Sequence, residues 1–279
     1  MRVKLELIIA GSCRHPACMV TGKGGLKNIT FPALVGRITH PTRGTILFDT
    51  GYGKALSESK DLVARCYRRI LPYRLAPGEA CIHQLAAAGI SASEVSGIIL
   101  SHLHPDHVGG LEDFPQAKIY LSRAALEGLA TRTLFSRSRL VLIPDLFPRD
   151  FSSRLQFVED CPRVSLDHAW GVFEIGADIF GDSSAIVVPL PGHAPGHFGI
   201  KLKTIKDQEV LLAADAAWLS CCYKEMLEPL LPARVFIHDY QAYRQTLLKL
   251  HNLSKTRPDI AIVPSHCSEA IRSLQHDLV

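Results

Sequence analysis

Ser101-His102-Leu103-His104-Pro105-Asp106-His107-Val108-Gly109-Gly110 carries four ligand-type side chains within six residues, directly after the apolar run Ile98-Ile99-Leu100. Such a run reads as a strand, and in an α/β protein ligands bind at strand ends. Imidazole and carboxylate are ligands that zinc accepts, at ~2.0–2.2 Å. His102 and His104 are two apart, so an extended backbone points both to the same side. Pro105 then turns the chain, and the adjacent side chains of Asp106 and His107 diverge and can serve a second ion. Three histidines and an aspartate this close would repel one another when protonated and would be costly to bury without a metal. The segment therefore predicts two neighbouring metal sites at one strand end.

The chain around it has 279 residues, 47% of them hydrophobic and 21% charged, with a net charge of +4. This is the composition of a globular protein, not of a disordered, collagen-like or membrane-spanning chain. The basic residues are scattered, which argues against nucleic acid. Their densest group, Arg132, Arg137 and Arg139, reads as a solvated face or loop. Strands are expected at 3–9, 33–38, 45–49, 97–100, 117–121, 185–190, 198–203, 209–214 and 260–263, and helices at 54–70, 78–88, 122–130 and 240–252. Their alternation predicts a layered α/β protein. Residues 11–32 read as a long loop, and Gly22-Lys23-Gly24-Gly25 within it lacks the spacing of a phosphate-binding loop. Residues 131–170 mix Arg, Ser and Pro with Leu142, Ile143, Leu146, Phe147 and Phe151. They suit a cap over a pocket, an oligomer contact that would make a homodimer, or an insertion with its own small core.

The chain has 13 histidines beside 8 cysteines. The cysteines form no C-x-x-C pair and read as small packed hydrophobes. Arg2 and Lys4 before Leu7-Ile8-Ile9-Ala10 loosely imitate a secretion signal, but Glu6 leaves the apolar run shorter than the ~7–15 residues such a signal needs. A cytoplasmic protein with reduced thiols is expected.

The segment 102–107 is an H-x-H-x-D-H motif, and the chain resembles the metallo-β-lactamase-fold hydrolase superfamily through most of its length. Phe48-Asp49-Thr50-Gly51 is similar to the family's early strand-end aspartate, which supports a metal ligand. Pro191-Gly192-His193-Ala194-Pro195-Gly196-His197 resembles its second ligand loop. Asp215, after the strand Val210 to Ala214, and His266, after Ile260 to Val263, stand where the family has its bridging carboxylate and last ligand. The resemblance implies a single domain over 1–279 with a four-layer αβ/βα sandwich fold. It implies one zinc on His102, His104 and His193, another on Asp106, His107 and His266, and Asp215 between them, with iron or manganese as other candidates for the two ions. His197 is expected to support the ligands. The other histidines, His40, His83, His168, His238, His251 and His276, read as mostly surface residues, while His15 can reach the cleft rim.

Two metals ~3.5–4 Å apart can share a hydroxide and polarise a carbonyl or phosphoryl oxygen. The expected reaction is hydrolysis of a carboxylic ester, lactone or thioester of a small molecule, with Asp106 orienting the nucleophile or taking its proton. The Gly192 to His197 loop and the ligand set look most like the N-acyl homoserine lactonase branch. Those lactonases have a tyrosine three residues after the bridging aspartate, whereas this chain has Trp218, which offers an N–H but no hydroxyl. Tyr223 could substitute only if the Leu219 to Cys222 loop folds back. Alternatives are a mononuclear-iron oxidoreductase of the same fold, acting like a persulfide dioxygenase, and a phosphodiester hydrolase.

Overall fold

The computed structural model describes residues 1–130, 133–166 and 170–278. Seven strands, β1 (Lys4–Pro16), β2 (Asn28–His40), β3 (Gly44–Phe48), β4 (Tyr73–Arg74), β5 (Val95–Ile99), β6 (Lys118–Leu121) and β7 (Leu155–Phe157), form one sheet in the order β4-β1-β2-β3-β5-β6-β7. Six more, β8 (Arg163–Ser165), β9 (Ile175–Asp178), β10 (Ala185–Pro189), β11 (Phe198–Lys203), β12 (Glu209–Ala214) and β13 (Ala261–Pro264), form the other, in the order β13-β12-β11-β10-β9-β8.

Successive side chains of a strand point to opposite faces, so a strand covered on both sides must be apolar throughout. The central strands follow this rule. Ile46 and Phe48 of β3, Ile99 of β5, and Val210 and Leu212 of β12 meet in the cluster between the two sheets. Leu47 and Ile98 point the other way, onto Leu56, Val63 and Leu85 from helices outside the first sheet. Leu211 and Ala213 point onto Leu247, Leu250 and Leu253 of the Tyr240–Thr256 helix outside the second. Helix, sheet, sheet and helix therefore stack as the four layers expected.

All nine expected strands are present, but the 11–32 loop is not. Its residues continue β1 to Pro16, form the short Ala17–Thr21 helix and begin β2 at Asn28, with Pro16 paired to Asn28. Gly11, at φ 86°, stands where the β1–β2 register shifts between Ile9 and Ser12, which is why the alternation in the sequence breaks off there. The helix expected over 54–70 is two helices, because Asp61 caps a new one by accepting from the Val63 N–H at 2.8 Å. In the 131–170 stretch, Leu142, Ile143, Leu146 and Phe151 pack into the core outside the first sheet, and β7 and β8 lengthen the two sheets. Arg137 is ion-paired to Asp61 and Arg139 donates to the His238 carbonyl, so neither is merely solvated. Arg132 and His168 lie outside the described residues. His40, expected at the surface, is buried with its Nε2 2.9 Å from Asp182 and 3.1 Å from Ser184.

Candidate metal centre

The ligand-type residues converge where the ends of β3, β5, β10, β12 and β13 meet. His102, His104 and His193 offer ligand atoms within 4.8 Å of one another, as do His102, His107 and Asp215, and Asp106, His107 and His266. All seven are buried. These are the residues expected from the sequence, brought together from both sheets, and the cysteines contribute none. His193 Nε2 lies 3.0 Å from His104 Nδ1 and 3.3 Å from Asp215. Asp215 lies 3.3 Å from His107 Nε2 and 3.1 Å from His266 Nε2, so it stands between the two groups.

Local structure explains each position. His104 ends the extended run after β5, and Pro105 opens the Pro105–Val108 helix, where its missing N–H costs nothing. The Thr50 N–H and hydroxyl both donate to the His107 carbonyl at 2.8 Å, holding that helix to the end of β3. His193 sits on a loop whose Gly192, at φ 126°, lies so close to the Tyr240–Thr256 helix that a Cβ would fall 2.1 Å from the Tyr243 nitrogen.

The imidazoles are oriented through their second nitrogens, as metal-binding histidines are. Asp49 is fully buried and accepts from His107 Nδ1, the Ser101 hydroxyl and the Ser101 N–H, each at 2.8 Å. The Ser101 oxygen in turn accepts from His102 Nδ1 at 3.0 Å, so one carboxylate orients two histidines. His266 Nδ1 donates to the Pro32 carbonyl at 2.7 Å. His197 Nδ1 donates to the Leu190 carbonyl at 2.7 Å and its Nε2 accepts the Asp215 N–H at 3.1 Å. Both nitrogens of His197 are thus engaged, and it braces Asp215.

Polar atoms of the cluster remain unpaired: His102 Nε2, His107 Nε2 and Asp215 Oδ1 are buried without a hydrogen-bond partner. Leaving such atoms unsatisfied costs ~1–3 kcal/mol each, and divalent cations would satisfy them. Burial lowers the pKa of His102 and His193 well below the usual value and that of His104 to about 4, so these imidazoles are neutral and free to coordinate. Burial also opposes charge on His107 and His266, but carboxylates win: Asp49, Asp215 and Asp106 raise His107 well above its usual value, and Asp215 and Asp106 raise His266 to about 9. Protons and metal therefore compete for that side of the centre.

Above the cluster lies a cleft with a free volume of about 130 Å³, walled mainly by apolar groups such as Val20, Phe31, Leu71, Val141 and Phe236. His15 lines it, as expected, and so does Trp218, whose ring meets that of His193 edge-on at 5.9 Å. Tyr223 does not: it is buried behind the second sheet, with its hydroxyl donating to the Ile262 carbonyl at 3.4 Å. Tyr67, inside a stretch read only as helix, lines the cleft instead. Its sequence carried no signal, whereas Ser101, directly before the motif, could have been found from its position.

Residues 30–266, which include every one of these ligand-type side chains, match the metallo-beta-lactamase superfamily. The chain belongs to that superfamily. It is 26% identical over 236 residues to the N-acyl homoserine lactonase AttM of Agrobacterium fabrum, covering 81% of each chain. It is 25% identical to an N-acyl homoserine lactonase of Bacillus cereus, covering 77% of this chain and 76% of that one. Solved structures superpose on it closely. A B. thuringiensis AiiA variant with N-decanoyl-L-homoserine bound at the active site has a TM-score of 0.71 at 20% identity, covering 98% of this chain and 97% of that one. A probable metal-dependent hydrolase from Staphylococcus aureus has a TM-score of 0.71 at 14% identity, covering 95% and 89%. At these identities the shared property is the fold.

Proposed function

We propose that this chain is a metal-dependent hydrolase that opens a lactone or cleaves a related carboxylic ester or thioester. The observation that carries the reading is the set of buried, unpaired imidazole and carboxylate atoms at the floor of an apolar cleft. The lactonases among its relatives point to the same bond type. In this reading His102, His104 and His193 would hold one ion, Asp106, His107 and His266 would hold the other, and Asp215 would serve both. The donor set suits zinc, and iron or manganese would also be accepted. Two such ions lower the pKa of water towards neutrality and polarise a carbonyl, which is the chemistry ester hydrolysis needs.

The protein's own groups supply the rest. Asp106, with a carboxylate oxygen 3.5 Å from His266 Nε2 and 3.8 Å from His107 Nε2, is the group to orient the attacking water or hold its proton. Val20, Phe31, Leu71 and Phe236 exclude water and accept an acyl chain. The free thiols suit a reducing compartment such as the cytoplasm. Among the described residues no helix is long and apolar enough to cross a membrane.

The test is a hydrolysis screen of zinc-loaded protein against acyl lactones, thioesters and phosphodiesters, with His104→Ala as the blank. Turnover of lactones or esters by the parent alone is expected. Equal turnover by the variant would overturn the site, and one iron per chain with oxygen consumption would overturn the reaction class.

A further inference from the structure

Among the described residues that line the cleft, Tyr67 alone brings a hydroxyl. That hydroxyl lies 2.9 Å from the hydroxyl of Tyr52, both rings being buried. The pair runs from the wall of the cleft into the core. Each keeps its proton, because burial raises both phenols well above their usual range.

Two protons and one link leave one proton over. Tyr52 is fully enclosed while Tyr67 borders the cleft, so the Tyr52 O–H is best used towards the Tyr67 oxygen. The proton left over is that of Tyr67, and hydrogen bonds arranged head to tail strengthen one another. Tyr67 shares the cleft with Asp106 and Asp215. Trp218, which also reaches the cleft, has only an indole N–H to offer.

We propose that the Tyr67 hydroxyl, polarised through Tyr52, donates a hydrogen bond to the substrate oxygen that gains negative charge as the ester or lactone bond breaks. This role rests on the hydrolase reading above. Tyr67 is the group that touches substrate, while Tyr52 is a positioning residue that acts through it. A preorganised donor aimed at developing charge helps the transition state more than the ground state, so its loss falls on kcat.

The experiment uses the zinc-loaded full chain, the lactone that it turns over fastest in the screen, and the ring-opened product N-hexanoyl-L-homoserine as a binding probe. Tyr67→Phe keeps the ring in place and is expected to lower kcat about ten- to a hundredfold with little change in KM. It is also expected to weaken binding of the probe, measured by calorimetry, about fivefold. Tyr52→Phe leaves the Tyr67 hydroxyl in place but removes the link, and is expected to lower kcat only a few-fold. If Tyr67→Phe lowers the melting temperature but leaves kcat and probe affinity within twofold of the parent, the pair is a core hydrogen bond and the proposal falls. A parent inactive on every lactone and ester would remove the hydrolase reading and this role together. An active parent with an unaffected variant would remove this role alone.

Discussion

The two sheets orient their histidines by different means. On the first sheet, His102 and His107 are held by side chains, through Ser101 and the buried Asp49. On the second, His197 and His266 are held by main-chain carbonyls, those of Leu190 and Pro32. The His193 loop is likewise latched through its backbone: the His238 N–H donates to the His193 carbonyl at 3.0 Å and the Asp239 N–H to that of Gly192 at 2.9 Å. A side-chain acceptor can be deleted by one substitution, but a carbonyl is present whatever the residue. The first side of the centre should therefore be open to point mutation in its supports, and the second should yield only when the backbone itself moves.

Removing a ligand tests both sides at once. His104→Ala should cost more than about a hundredfold in metal affinity and activity, because the supports of ligands alone are worth about ten- to a hundredfold; metal analysis after dialysis reads it. Gly192→Ala attacks the second sheet in the way it is vulnerable. Its Cβ would fall 2.1 Å from the Tyr243 nitrogen and 2.3 Å from its Cα, so a loss of about 3 kcal/mol in unfolding free energy is expected, with weaker metal binding. Asp49→Asn keeps shape while presenting a donor where His107 needs an acceptor, and should weaken metal binding about ten- to a hundredfold. Ser101→Ala removes only the link to His102 and should cost less than about tenfold. Pro32→Ala retains the carbonyl that His266 uses, and metal affinity should stay within about twofold. An effect of Pro32→Ala as large as that of Asp49→Asn would break the distinction between the two sides.

This division also separates what the sequence announced from what it hid. The clustering of the candidate ligands was legible because His102, His104, Asp106 and His107 crowd one strand end and the others follow apolar strands in order. Asp49 was legible for the same reason. Main-chain supports leave no trace: nothing about Leu190 or Pro32 as residue types signals that their carbonyls meet an imidazole. The strands were readable wherever both faces are covered, as in β3 and β12. They were missed where pairing is short, as in β4 and β7, or interrupted, as at Gly11. The cleft wall was least legible, since Tyr67 and Tyr223 are alike as residues and only packing decides that one faces the cleft and the other the core.

The Phe198 N–H crosses from the second sheet to donate to the Ser101 carbonyl at 3.2 Å, just behind His102. That amide is a natural gauge of the seam between the two sheets. Its exchange with deuterium requires the halves to part at the spot where their ligands meet. Followed with and without added metal, this one proton would report how firmly bound ions clasp the molecule when they are supplied, with no substrate present at all.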